Sequence, residues 1–154
     1  MALSVAVFVG SGAAAPGKTW TVGVGADSAD HAVQLLDFYP RTITINVGDT
    51  INFTRVSLTE HTVTFLSGAR PPDLAVPQKD GRLQFPSVVA YPQGGHTYDG
   101  SGYVSSGLLI GDIKNWSVTF TKPGTYTYQC LLHPTQVATV IVHPAGTPYP
   151  KTQA

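Results

Sequence analysis

Asn115-Trp116-Ser117-Val118-Thr119-Phe120-Thr121 alternates apolar and polar residues without a break, and Pro123-Gly124 then stops it. The same rhythm recurs in Trp20–Val24, Arg41–Val47, Ile51–Thr54, His61–Phe65 and Thr125–Cys130, with Gly or Pro between many of the runs, and Val137–Val142, mostly apolar on both faces, reads as a last strand. A period of two sends successive side chains to opposite faces of a strand, one toward a core and one toward water. About seven short strands separated by turn signals make an all-β chain, best read as an antiparallel Greek-key β-sandwich. Gly 16 and Pro 12 supply the turns. Asp27 to Asp37 lacks the rhythm and reads as a loop or helical turn.

At 154 residues the chain is one domain's worth, with enough surface to bury for a two-layer core. Nine basic residues balance nine acidic ones, so no polyanion partner such as nucleic acid is indicated. Leu3 to Val9 is a short apolar run, followed by the small residues 10–15, and no basic n-region precedes it. Residues 1–17 therefore read as a signal-peptide remnant or N-terminal tail, which puts the protein outside the cytoplasm (periplasmic, secreted or cell-surface). The alternative is an ordinary first strand. No apolar run reaches the ~18 residues of a membrane span. The domain is expected over 18–144, with 145–154 a tail or linker. Within it, residues 67–107 are long and turn-rich, either a decorated insertion or a lid, with Phe85, Tyr91, Tyr98 and Tyr103 as anchors.

Cys130 is the only cysteine, so the sandwich has no internal disulfide of the immunoglobulin kind. Strand parity puts Cys130 on the face of Tyr126 and Tyr128, and His61 on the buried face of Val63 and Phe65. His133 follows Cys130 across a tight loop that Pro134 stiffens. Two imidazoles, one thiolate and a weak axial ligand form a trigonal site suited to copper cycling between Cu(I) and Cu(II).

His61–Phe65, Gly48-Asp49-Thr50 and Pro123–Pro134 together resemble the cupredoxins, in their plastocyanin-like branch of blue copper proteins. The resemblance spans roughly residues 41–66 and 108–142. It implies His61, Cys130 and His133 as equatorial ligands of a mononuclear type 1 copper, and a monomeric one-electron carrier rather than an enzyme. It also implies a redox partner docking near His133 over Leu131, Leu132 and Pro134, unless one or both leucines are core. The family usually adds an axial methionine, but Met1 is the only methionine here. Alignment on Cys-x-x-His-Pro-x-Met puts Gln136 in that place, as in stellacyanin-like members that use glutamine. A backbone carbonyl near Glu60, a water or no axial ligand at all are the alternatives.

Competing functions are a copper enzyme with an open copper position and a copper storage or delivery protein. Multicopper oxidases need His-x-His pairs, and a dinuclear cysteine-bridged centre needs two cysteines; neither occurs here. Cys130 and His133 are too close in sequence for a hydrolase's nucleophile and base. His31, His96 and His143 have no spaced partner and read as surface or structural residues.

Overall fold

The computed structural model describes residues 16–150, so the signal-remnant reading falls almost wholly outside the described residues. In chain order the elements are β1 (Thr19–Asp27), β2 (Gln34–Tyr39), β3 (Thr42–Asn46), β4 (Thr50–Arg55), β5 (Thr64–Phe65), β6 (Val76–Pro77) and β7 (Leu83–Gln84). There follow α1 (Ser87–Ala90), β8 (Thr97–Tyr98), β9 (Val104–Ser105), β10 (Asn115–Phe120), β11 (Gly124–Gln129) and β12 (Val137–His143). One sheet runs β2-β1-β4-β10-β8 and the other β3-β12-β11-β5-β9; β6 and β7 form a small separate ribbon.

The period-two segments do what their pattern dictates. Trp116, Val118 and Phe120 of β10 face inward, as do Ile51 and Phe53 of β4 and Ile43 and Ile45 of β3. Their rings and branches meet between the sheets, where Phe53, Phe65 and Tyr128 pack at centroid separations of 5.2 to 6.5 Å. Such ring contacts favour one arrangement over a merely greasy interior.

Three departures from the sequence reading have physical causes. The sandwich is not wholly antiparallel: β1 runs parallel to β4, β12 to β3 and β10 to β8. The Gly48-Asp49 turn carries the chain from one sheet to the other instead of closing a hairpin, and a parallel neighbour requires such a crossover. Secondly, residues 34–39 form a strand, although only Phe38 in it is buried. It is recruited by pairing with β1 across a bulge at Gly25. Thirdly, His61–Phe65 is not a continuous strand. Only Thr64 and Phe65 pair as one, while His61 makes an isolated bridge to Leu109.

The long segment supplies the reason why all five residues from His61 to Phe65 are buried. Its β9 pairs with β5, Ser105 Oγ lies 2.9 Å from Thr64 Oγ1, and Ser106 Oγ accepts the Val63 N–H at 2.8 Å. The threonine side is thereby covered by protein. Tyr98 anchors the segment in the core, whereas Phe85 and Tyr91 are 42% and 65% exposed and anchor nothing. At the other end, the buried Asp49 carboxylate accepts from the Lys18 and Asn46 N–H groups, Trp20 Nε1 and the Tyr149 hydroxyl. Tyr149 also packs edge-on against Trp20, so residues near 149 lie on the sandwich.

Candidate metal centre

Cys130 sits just past the end of β11, and its N–H donates to the Gln136 carbonyl at 3.0 Å. The Gln136 N–H in turn donates to the His133 carbonyl at 2.8 Å, closing the 130–136 loop on itself. His61 is delivered from the opposite direction, held by paired backbone bonds with Leu109 of 3.4 and 2.8 Å. The loop and the bridge bring three donor atoms together. His61 Nδ1 and His133 Nδ1 are 3.2 Å apart, and Cys130 Sγ lies 3.8 Å from the first and 3.4 Å from the second.

That triangle is the right size for one ion. Metal–nitrogen bonds of about 2.0 Å and a metal–thiolate bond of about 2.3 Å at trigonal angles separate the donors by roughly 3.5 to 3.7 Å. The donor set, two imidazoles and a soft sulfur, is the one copper accepts in both its oxidation states. His61, Cys130 and Gln136 are 0% exposed, and only His133 is half-buried. Cys130 Sγ also accepts the Thr62 N–H at 3.3 Å, while Thr62 Oγ1 accepts the Leu131 N–H at 2.8 Å. Thr62 therefore supports both the sulfur and the loop that follows it.

Gln136 is oriented by its far end. Its Nε2 donates to the Asp37 carbonyl at 2.8 Å, which turns Oε1 toward the donors, 2.9 Å from His61 Nδ1. β2, invisible as a strand in the sequence, is thus what aims this side chain.

Leu131, expected at the docking rim, is 4% exposed and belongs to the interior, because its N–H is drawn in to Thr62. Leu132 is half-buried and Pro134 exposed beside His133. His31 is exposed with Nδ1 3.5 Å from Asp27, and His96 Nδ1 bonds the Ser117 carbonyl at 2.8 Å. His143 Nδ1 is buried without a hydrogen-bond partner. None of these three joins the cluster.

Sequence reasoning missed the residues behind His61. Ser57 Oγ lies 2.9 Å from His61 Nε2. Arg55, 8% exposed, donates through its guanidinium to the Ser57, Leu58 and Gly111 carbonyls at 2.8, 3.0 and 2.7 Å. Gly25, at φ +67° in the β1 bulge, presents bare backbone to the His61 ring; a Cβ there would collide with His61 Nε2. An isolated glycine inside a strand pattern is a signal for such a bulge or close approach.

Burial, and after it the neighbouring His133, push the His61 imidazole down from its ordinary 6.5 to about 4. In the metal-free protein the unfolded chain therefore takes up a proton near pH 6.5 that the folded chain refuses until about pH 4. Folded stability is highest above the first value and falls as pH drops toward the second. Denaturant titrations of the metal-free protein at stepped pH check this; a His61→Asn variant should flatten the profile between pH 6.5 and 5. An identical slope in both proteins would contradict it.

Among solved structures, the fold is similar to the oxidized form of plastocyanin from Dryopteris crassirhizoma, at 22% identity and a TM-score of 0.48 over 80% of this chain and 99% of that one. It is similar to an oxidized amicyanin mutant at 19% identity and a TM-score of 0.49, over 80% of each chain. A reduced Cu(I) form of another amicyanin mutant aligns over 86% of this chain and 87% of that one, at 18% identity and a TM-score of 0.50. At such identities the likeness concerns the fold alone. The model of the family described as "Copper binding proteins, plastocyanin/azurin family" matches residues 25–143, which takes in the bulge at Gly25, the His61 bridge and the Cys130–Gln136 loop. With most of its length matched and a donor cluster that fits copper, the chain belongs to the plastocyanin/azurin family of copper-binding proteins.

Proposed function

We propose that the protein is a one-electron carrier with a type 1 copper held by His61, Cys130 and His133, and with Gln136 as the weak axial ligand. The observation that carries this reading is the convergence of two Nδ1 atoms and one Sγ, all within 4.8 Å of one another, in a site open on the His133 side alone. Copper bound there supplies a one-electron Cu(II)/Cu(I) couple.

The rest is done by the chain. Two sheets and a self-closed loop hold the three donors in place, so little rearrangement accompanies a change of charge. Burial of His61, Cys130 and Gln136 excludes water. The half-buried His133, flanked by Leu132 and Pro134, is the edge through which an electron enters or leaves, and there a redox partner docks. An enzyme would need an open position for a substrate, and fully buried Gln136 takes up the space beside the donors. We read the working compartment as extracytoplasmic on the strength of residues 3–15 alone.

The absorption spectrum of the copper-loaded protein tests the reading. An intense visible thiolate-to-copper band is expected; weak absorption with water exchanging at the metal would favour the enzyme instead. Gln136→Met tests the axial role. An amide oxygen is harder than a thioether and favours Cu(II), so the variant should shift the Cu(I) to Cu(II) affinity ratio upward by at least about tenfold, roughly 59 mV for one electron. An unchanged or lowered potential would remove Gln136 from the ligand set.

A further inference from the structure

His61 is buried between two different demands. On one side Nδ1 lies 2.9 Å from Gln136 Oε1, and an amide oxygen can only accept. On the other side Nε2 lies 2.9 Å from Ser57 Oγ, and that hydroxyl also reaches the Thr59 carbonyl at 3.2 Å. A neutral imidazole carries one ring proton. In the metal-free protein the bond to Gln136 puts that proton on Nδ1, which leaves Nε2 an acceptor in need of a donor. Ser57 Oγ–H is the donor in reach. Once the Nδ1 lone pair is given to a metal, the proton belongs on Nε2, which now needs an acceptor. The same oxygen can accept it by swinging its own hydrogen to the Thr59 carbonyl.

We propose that Ser57 is the positioning residue of His61, a hydroxyl whose donor and acceptor roles exchange as the ring proton moves from Nδ1 in the metal-free protein to Nε2 in the copper-loaded one. The proton lost at Nδ1 is balanced by the one gained at Nε2, and the ring is neutral in both states. A carbonyl or a methyl in the same place would satisfy one state at most. The requirement is strict because Ser57 is 6% exposed and His61 0%, so solvent does not substitute for the missing partner. The surroundings hold this oxygen in place. Arg55 bonds the Ser57 and Leu58 carbonyls, Asp27 accepts the Leu58 N–H at 2.8 Å, and Gly25 leaves the room in which the Ser57 and His61 side chains meet.

The proposal rests on the copper-site reading, and two measurements keep the failures of the two apart. Nitrogen NMR of the His61 ring in the wild-type protein should find the proton on Nδ1 without metal and on Nε2 with Cu(I). Competition titrations should then find Ser57→Ala weaker for copper by about 10–100-fold, while its metal-free form stays folded and cooperative but unfolds at a lower denaturant midpoint than wild type, because the buried Nε2 has lost its donor. The idea is overturned by a metal-free wild type protonated on Nε2, or by a Ser57→Ala protein that binds copper as tightly as wild type. It is equally overturned if that variant loses its metal-free fold, since Ser57 is then a structural prop. A wild-type protein that takes up no copper sinks the copper-site reading itself, and this is seen before any variant is made.

Discussion

Gly25→Ala is expected to destabilise the metal-free protein by about 3 kcal/mol, adding left-handed strain to overpacking, and to weaken copper binding as well. Gly25 adopts φ +67°, where an L side chain is strained, and its would-be Cβ meets His61 Nε2, with Ser57 Oγ at 2.5 Å and Ser57 Cβ at 2.9 Å. None of these neighbours can retreat. His61 is pinned by Leu109 and Gln136, and Ser57 by the buried guanidinium of Arg55. The damage therefore falls on the ring that carries a metal donor. Gly48→Ala is the control: φ there is +91°, but nothing lies within 4 Å of the new Cβ. It should cost only the strain, about 1–2 kcal/mol, and leave copper affinity intact. Denaturant melts and copper competition on both variants decide the matter; equal behaviour of the two would show that the His61 contact is unimportant.

Cys130→Ser should leave a folded protein that has lost its intense visible band and most of its copper affinity. The side chain is fully buried, and serine is close to it in shape. Its hydroxyl can still meet the Thr62 N–H that now points at Sγ from 3.3 Å, so little of the fold is put at risk. The chemistry, by contrast, has no substitute. A serine hydroxyl is neutral at ordinary pH and its oxygen is hard, whereas Cu(I) selects soft thiolate. Removing a supporting hydrogen-bond partner typically costs about 10–100-fold in metal affinity, and removal of the proposed thiolate ligand should exceed that. Far-UV circular dichroism and copper competition on the purified variant check both halves. A Cys130→Ser protein that keeps the visible band would end the type 1 assignment.

The contrast between these two residues shows how far the amino-acid order reaches. Cys130, His61 and His133 stand out because residue type and strand parity are local properties, visible wherever a period of two persists. The inward faces of β3, β4 and β10 were legible for the same reason. Gly25, Ser57 and Arg55 carry no such mark. A glycine in a strand, a serine in a loop and an arginine at a strand end have many unremarkable explanations. Gly25 gains its role from a bulge that no periodicity announces, and Ser57 from the turn that folds it back onto His61. Arg55 gains its role from carbonyls in that turn and from Gly111, 56 positions away. β2 is the clearest case. Only Phe38 in it is buried, so it has almost no apolar alternation to reveal it, yet it supplies the carbonyl that aims Gln136.

By itself the sequence determined an all-β chain, the two faces of its long strands and the placing of Cys130 and His133 on one short loop, since each follows from the order of neighbours along one strand or one loop. Only the tertiary structure decided which strands run parallel, that Leu131 turns inward while Leu132 stays at the surface edge, and how the His61 ring is gripped from behind. Those outcomes depend on which sheet receives each strand after a turn and on volumes shared between distant segments. Gln136 lies on the boundary between the two. The resemblance of its loop to a known ligand spacing singled it out, and a strand that the sequence did not announce turned its oxygen toward the donors.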